Sequence, residues 1–280
     1  MVTAALRGYL ELTRPVNSVA AGLLTLIGGF VAGGLTTAPR PLLVAVVATW
    51  LATGAGNAIN DYFDRDIDAI NNPERPIPRG AVEPRSALWF SVLLFLGAIA
   101  LALSLPRVAI LIAAVNLVGL VAYTEVFKGT PGAGNALVAY LGGSTFLFGA
   151  AAVNNVLAGV VLFLLAALST FSREVIKDVE DVAGDREEGL VTLPVAIGER
   201  RALVLGAAVL VVAVLASPVP YLTGLFGLPY LAVVVPADLV MLGAAWRSFT
   251  DPRTGQTWLK YGMFLAAAAF VVGRVSVLAA

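Results

Sequence analysis

Apolar runs of about 20 residues, the length a helix needs to cross a bilayer, recur near residues 16–34, 41–62, 86–105, 107–124, 135–152, 156–176, 202–220, 228–246 and 259–279. They predict nine transmembrane helices in one all-α bundle, a single membrane domain over residues 1–280. The third and fourth runs are split only by Leu105, Pro106 and Arg107, so proline there opens a new helix in place of a loop. Gly28, Gly29 and Pro236 lie inside spans, where such residues permit close packing or kinks.

Composition strengthens this picture. With 59% hydrophobic and 13% charged residues and a mean hydropathy of +0.89, the chain carries more apolar side chains than one soluble core absorbs. The formal net charge is zero, yet the charges are segregated. Of the 18 basic residues, all but Arg40, Arg107 and Arg274 fall at one membrane face. The positive-inside rule makes that face cytoplasmic, placing the N-terminus inside and the C-terminus outside, as an odd number of spans requires. The connections 63–85 and 181–200 on that face are long and charged, so function is expected there, in a cell-membrane protein with its site at the cytoplasmic side. The opening segment MVTAALRGYLELTRP has no convincing cleavage site and is read as mature sequence. The absence of Cys and His removes disulfides, thiolate chemistry, His-ligated metals and imidazole catalysis.

Chemistry concentrates in two acidic segments. The first, NAINDYFDRDIDAINNPERPIPRG at 57–80, sets Asp61, Asp64, Asp66 and Asp68 directly after an apolar run. Like charges at the end of a membrane helix repel and lose hydration unless a cation is held there. Asn60, Asp64 and Asp68 recur every fourth residue and lie along one face of a helix. A few hard oxygen ligands with room for water and phosphate suit Mg²⁺. The second segment, REVIKDVEDVAGDREEGLVTLPVAIG at 173–198, repeats the arrangement: Glu174, Asp178, Asp181 and Asp185 form one helical stripe.

Two carboxylate faces at one end of a bundle require more than one divalent ion and a bridging anion between them. A diphosphate fits, with Arg14, Arg75, Arg79 and Lys128 taking its remaining charge and a hydrocarbon chain lying among the helices. Neutralising the diphosphate makes it a better leaving group, so an allylic C–O bond ionises to a carbocation that a nucleophile captures. A cation transporter would instead place carboxylates near the midplane of several helices. A scaffold would need no matched stripes.

These residues resemble the signature motifs of the UbiA-type intramembrane prenyltransferases. N-x3-D-x3-D from Asn60 through Asp68 followed by RPIPRG, and D-x3-D-x3-G-x2-TL from Asp181 through Leu193, are similar to its paired motifs. LTRP at 12–15 and YTEVFKG at 123–129, with Asn135 after it, are similar to its other cytoplasmic elements. The resemblance implies a nine-helix bundle around a central cavity and Mg²⁺-dependent transfer of a prenyl group from its diphosphate. It assigns Asn60, Asp64 and Asp68 to one Mg²⁺ with Asp61 beside them, and Asp181 and Asp185 to a second with Asp178 as helper. Asp64, Asp68, Asp181 and Asp185 are then the catalytic carboxylates, and Arg14, Arg75 and Lys128 grip the diphosphate. Within the family the second segment is most similar to the archaeal ether-lipid branch, which moves geranylgeranyl onto the hydroxyl of geranylgeranylglyceryl phosphate. Branches with hydroxybenzoate or naphthoate acceptors share the metal motifs. No nucleic acid or obligatory protein partner is implied. Outside the motifs, Asp238 either caps a kink after Pro236 or serves function, Asn116 and Asn154 or Asn155 are expected to make interhelical or boundary hydrogen bonds, and Tyr62, Tyr123, Tyr140 and Phe146 are candidates to line the cavity.

Overall fold

The computed structural model describes residues 2–127 and 129–279, and every regular element among them is helical. In order these are α1 (Val2–Leu12), α2 (Pro15–Val31), α3 (Gly34–Thr37), α4 (Pro39–Phe63), α5 (Arg65–Asn71), α6 (Pro84–Ala102), α7 (Arg107–Ala122) and a π-helical turn (Tyr123–Phe127). Then follow α8 (Ala133–Ala152), α9 (Leu157–Glu180), α10 (Val182–Glu187), α11 (Leu193–Ile197), α12 (Glu199–Ala216), α13 (Val219–Leu222), α14 (Pro229–Ser248) and α15 (Pro252–Leu278). Proline stands in the first turn of α2, α4, α6, α14 and α15, where its missing N–H is no loss and its fixed φ starts the helix.

Each predicted apolar run lies on one long helix, but several boundaries move. The last helix begins at Pro252, because the Asp251 side chain accepts from the Thr254 N–H at 3.1 Å and caps a polar first turn that hydropathy passes over. The helix of the second acidic segment runs on to Glu180, so Glu174 and Asp178 ride on the same rod as its apolar part. Among the described residues, seven helices are long and apolar enough to cross a membrane. The pair α1 and α2, bent by 45°, supplies an eighth. The ninth expected span, α7, has 16 residues and rises only about 24 Å, short of the roughly 30 Å hydrocarbon core. Pro236 sits inside α14, which nevertheless runs unbroken from Pro229 to Ser248.

The bundle closes on itself: α2 packs on α4 and α8, α8 on α9, α9 on α12 and α15, and α15 returns to α2. Small residues set the closest approach. A Cβ on Gly28 would lie 2.2 Å from the Phe146 carbonyl oxygen, and one on Gly149 would lie 1.9 Å from that of Thr25. The backbones of α2 and α8 therefore touch, as membrane helices do where only hydrogen separates them. Outward-facing Leu93, Leu111, Leu215 and Trp246 remain exposed, the surface expected toward lipid.

This contact yields a test. Gly149→Ala inserts a methyl against backbone, which overpacking data place at about 1–3 kcal/mol, and should lower the unfolding temperature in detergent. Gly243→Ala, whose added Cβ would meet nothing within 4 Å, should change it little.

Candidate active site

The two acidic segments share one local backbone. Asp64 joins α4 to α5 with φ −83° and ψ 3°, and Asp181 joins α9 to α10 with φ −91° and ψ 2°. The expected unbroken stripes are thus broken at these joints. Their fourfold spacing survives because the hydrogen bonds continue across: Asp64 N–H to Asn60 O and Asp68 N–H to Asp64 O at 2.8 Å, Asp181 N–H to Lys177 O at 2.9 Å, and Asp185 N–H to Asp181 O at 3.0 Å. A repeat that the surrounding sequence hides is therefore visible in the backbone.

In the first segment the charges are buried and paired. Asp61 is 4% and Asp68 3% exposed, and such carboxylates are strongly unfavourable without a cation. Arg14 donates from Nη2 to Asp61 Oδ1 at 2.6 Å. Arg75 donates from Nη1 to Asp68 Oδ2 at 2.5 Å and lies 3.5 Å from Asp61 Oδ1. Asn72 Nδ2 donates to Asp68 Oδ1 at 3.1 Å. Arg14 adopts a left-handed backbone, φ 45° and ψ 71°, at the bend before α2. Arg75 is placed by its loop, where the Ala81 and Val82 N–H groups bond the Pro76 carbonyl and Ile77 and Val82 pack with Leu12, Ala58 and Ala87. Two predicted features separate from this cluster. Arg79 donates to the Glu74 carbonyl at 2.6 Å and pairs with Glu11, and Asp66 faces outward.

In the second segment the described donors are mostly neutral. Asp178 Oδ2 accepts from Asn135 Nδ2 at 2.7 Å, and Asp185 Oδ2 accepts from Thr192 Oγ1 at 2.8 Å. Glu174 pairs with its neighbour Arg173 at 2.6 Å, while Asp181 is exposed. Tyr123 feels the charges of Asp64 from the first segment and of Glu174, Asp178 and Asp185 from the second. The Val191 N–H donates to the Gly129 carbonyl at 3.2 Å, tying the loop after the second segment to the connection after α7. Lys128, in that connection, lies outside the described residues.

Among the described residues no three acidic side chains are gathered closely enough to hold a metal ion. The donors still fit Mg²⁺. They are hard oxygens supplied one or two per segment, and Mg²⁺ is usually held by one or two carboxylates together with phosphate oxygens and water, not by an all-protein cage.

Sequence reasoning passed over Asn72 and Thr192 as partners, although Asn72 stands four residues after Asp68 and so on its face. Asn116 on α7 accepts from Ser144 Oγ on α8 at 3.0 Å, an interhelical contact, and Asn155 donates to the Ala32 carbonyl at 3.1 Å, a boundary one. Asp238 is buried. Its Oδ2 accepts from Ser217 Oγ at 2.6 Å, and the Ser217 carbonyl takes the Tyr230 hydroxyl at 2.7 Å.

The chain is thus a multi-span helical bundle with acidic segments after two of its long helices, the first of them paired with two arginines. Residues 21–268 match the UbiA prenyltransferase family, and the chain belongs to it: it is an integral membrane protein and a prenyltransferase. It is 67% identical over 274 residues to the digeranylgeranylglyceryl phosphate synthase of Natronomonas pharaonis, covering 98% of this chain and 99% of the relative. The Halobacterium salinarum protein of the same name is 65% identical over 269 residues, 96% of this chain and 98% of the relative. A solved structure described as digeranylgeranylglyceryl phosphate synthase superposes with a TM-score of 0.84 at 34% identity, covering 97% of this chain and 99% of that one. A UbiA homologue from Archaeoglobus fulgidus, solved with DMAPP and Mg²⁺, shares the fold at a TM-score of 0.70 and 18% identity over 95% and 97% of the two chains.

The ion pairs make their own prediction. Asp61→Ala strands the partner guanidinium groups, a loss of about 1–3 kcal/mol, and should lower the unfolding temperature and speed amide exchange in residues 72–82. Asp66→Ala should do neither.

Proposed function

We propose that this enzyme transfers a geranylgeranyl group from its diphosphate to the free hydroxyl of geranylgeranylglyceryl phosphate, the step that forms the second ether of an archaeal membrane lipid. What carries the reading is the pair of acidic motifs in a chain that is 67% identical over 274 residues to the digeranylgeranylglyceryl phosphate synthase of Natronomonas pharaonis. Nine crossings, a cytoplasmic N-terminus and a site at the cytoplasmic rim complete the reading, supported by the segregation of basic residues.

Asn60, Asp64 and Asp68 hold one Mg²⁺ in this scheme, and Asp181 and Asp185, with Asp178 beside them, hold a second. Bound there, the two ions would neutralise the diphosphate and make it a better leaving group. Arg14 and Arg75 grip the diphosphate with the N–H groups that Asp61 and Asp68 do not use, since a guanidinium carries five donors. Asp61, hemmed between the two arginines, orients them. Lys128 joins them by its place in the motif, and Arg79, tied to Glu11, braces the loop that carries Arg75. The allylic C–O bond breaks with its electron pair leaving on the diphosphate. The acceptor hydroxyl oxygen then captures the cation and gives up its proton. Apolar helix walls keep water from that cation.

The test is turnover by purified protein in lipid or detergent. Geranylgeranyl diphosphate, geranylgeranylglyceryl phosphate and Mg²⁺ should yield diphosphate and a doubly prenylated glyceryl phosphate. EDTA should abolish the product and added Mg²⁺ restore it, and Asp64→Ala should lower the rate by about 10²-fold or more. Preferential prenylation of hydroxybenzoate, or turnover indifferent to EDTA, would overturn the reading.

A further inference from the structure

The reaction proposed above joins two anionic lipids, a diphosphate donor and an acceptor that carries a phosphate of its own. Arg14, Arg75 and Lys128 are committed to the first. The second needs separate donors, because a charged group taken out of water without partners is strongly unfavourable.

Arg173 opens the second acidic segment, on the seam where α9 packs against α15. Its Nη1 donates to Glu174 Oε1 at 2.6 Å, and its Nη2 donates to Gln256 Oε1, on α15, at 3.3 Å. Its Nε is buried and has no hydrogen-bond partner among the described residues. Such donors are rare in folded proteins and call for an explanation. A guanidinium carries five N–H donors, so most of this one's capacity is unused. The side chain keeps 25% of its surface and can be approached. Ser169 and Thr170, one turn earlier on the same face of α9, line an apolar cavity, as do Met263 and Phe264, two turns past Gln256 on α15. Asp178 follows Arg173 by five residues, a rise of about 7.5 Å and a rotation of about 140°, and turns to Asn135 on α8. Arg173 therefore stands between the cavity lining and the acidic turn, on a side of α9 that Asp178 does not use.

We propose that Arg173 holds the phosphate of the glyceryl acceptor and so makes the enzyme prefer a phosphorylated acceptor. The proposal rests on the lipid-acceptor reading above. Glu174 and Gln256 hold the guanidinium from two helices, which sets its orientation before a ligand arrives, and a planar fork of N–H groups matches a phosphate. The donor diphosphate, bridged to carboxylates through Mg²⁺, belongs to the Asp178 side instead. Glycerol has only three carbons, so the free hydroxyl lies at most two carbons from the phosphate. A phosphate on Arg173 keeps that hydroxyl close to the acidic turn, where the allylic carbon is released.

Steady-state kinetics with two acceptors test this. Arg173→Gln removes the charge and the fork and should lower kcat/KM for geranylgeranylglyceryl phosphate by about 10- to 100-fold, the size of a lost charge-assisted hydrogen bond, while leaving the donor KM unchanged. With geranylgeranylglycerol, which lacks the phosphate, variant and wild type should be equal, and that equality shows the variant to be folded. Arg173→Lys, which keeps the charge and loses the fork, should fall between. An Arg173→Gln variant equally slowed with both acceptors has a structural defect alone, and one with a raised donor KM has lost a grip on the diphosphate; either result overturns the proposal. Where geranylgeranylglycerol is inert with wild type, the split between acceptor and donor KM decides. Gln256→Leu removes one of the two groups that hold the guanidinium and should raise the acceptor KM by a smaller factor. It carries the test where Arg173→Gln does not fold, and an unchanged acceptor KM there overturns the proposal. Wild-type protein that prenylates neither acceptor would overturn the proposed function instead.

Discussion

Asp61 and Asp68 are carboxylates almost wholly withdrawn from solvent at the end of a greasy bundle, and they remain there because Arg14 and Arg75 are fixed against them. An unpaired charge in such a place costs several kcal/mol, whereas a non-glycine residue in the left-handed region costs about 1–2 kcal/mol. That difference explains the backbone at Arg14, φ 45°: the smaller strain is tolerated to deliver the guanidinium. The bend between α1 and α2 follows from it. The Thr13 carbonyl at that bend is occupied twice, by Asn57 Nδ2 at 3.0 Å and Ser18 Oγ at 2.7 Å. Loop 72–82 obeys the same constraint from the other side, since Ile77 and Val82 anchor it where Arg75 can reach both aspartates.

The second segment is treated differently. Asp178 accepts from an amide and Asp185 from a hydroxyl, contacts that orient a carboxylate. Among the described contacts, the first segment is thus held by charged partners, while Asp178 and Asp185 of the second meet neutral ones.

Much of this was legible from residues alone, where a single force acts. Apolar runs located every long helix, and the spacing of Asn60, Asp64 and Asp68 located the first acidic turn. The joints at Asp64 and Asp181 were not legible, because a break after one residue keeps the fourfold spacing and so leaves no mark in the pattern. Arg79 illustrates a different failure. RPIPRG offers two arginines in equivalent charge surroundings, and only the tertiary position of Glu11, 68 residues earlier, diverts one of them. Asp238 likewise has a partner its sequence neighbourhood does not show, Ser217, at the end of α12. The start of α15 escaped hydropathy because a cap, not apolarity, defines it.

The closest backbone contact in the bundle and the aromatic lining of the apolar cavity are mechanically one feature. Phe146 presents its carbonyl to Gly28 on α2 and its ring to Phe270 on α15. Gly149, one turn further along α8, meets Thr25 on α2. The depth at which α8 seats against α2 therefore fixes the depth at which the ring stands in the cavity. Arg14 opens α2 and Asn135 lies near the start of α8, so the same two helices also fix the acidic end. A register set by hydrogen-only contacts between backbones leaves little slack, which makes the distance from carboxylates to rings a property of the fold more than of any one side chain.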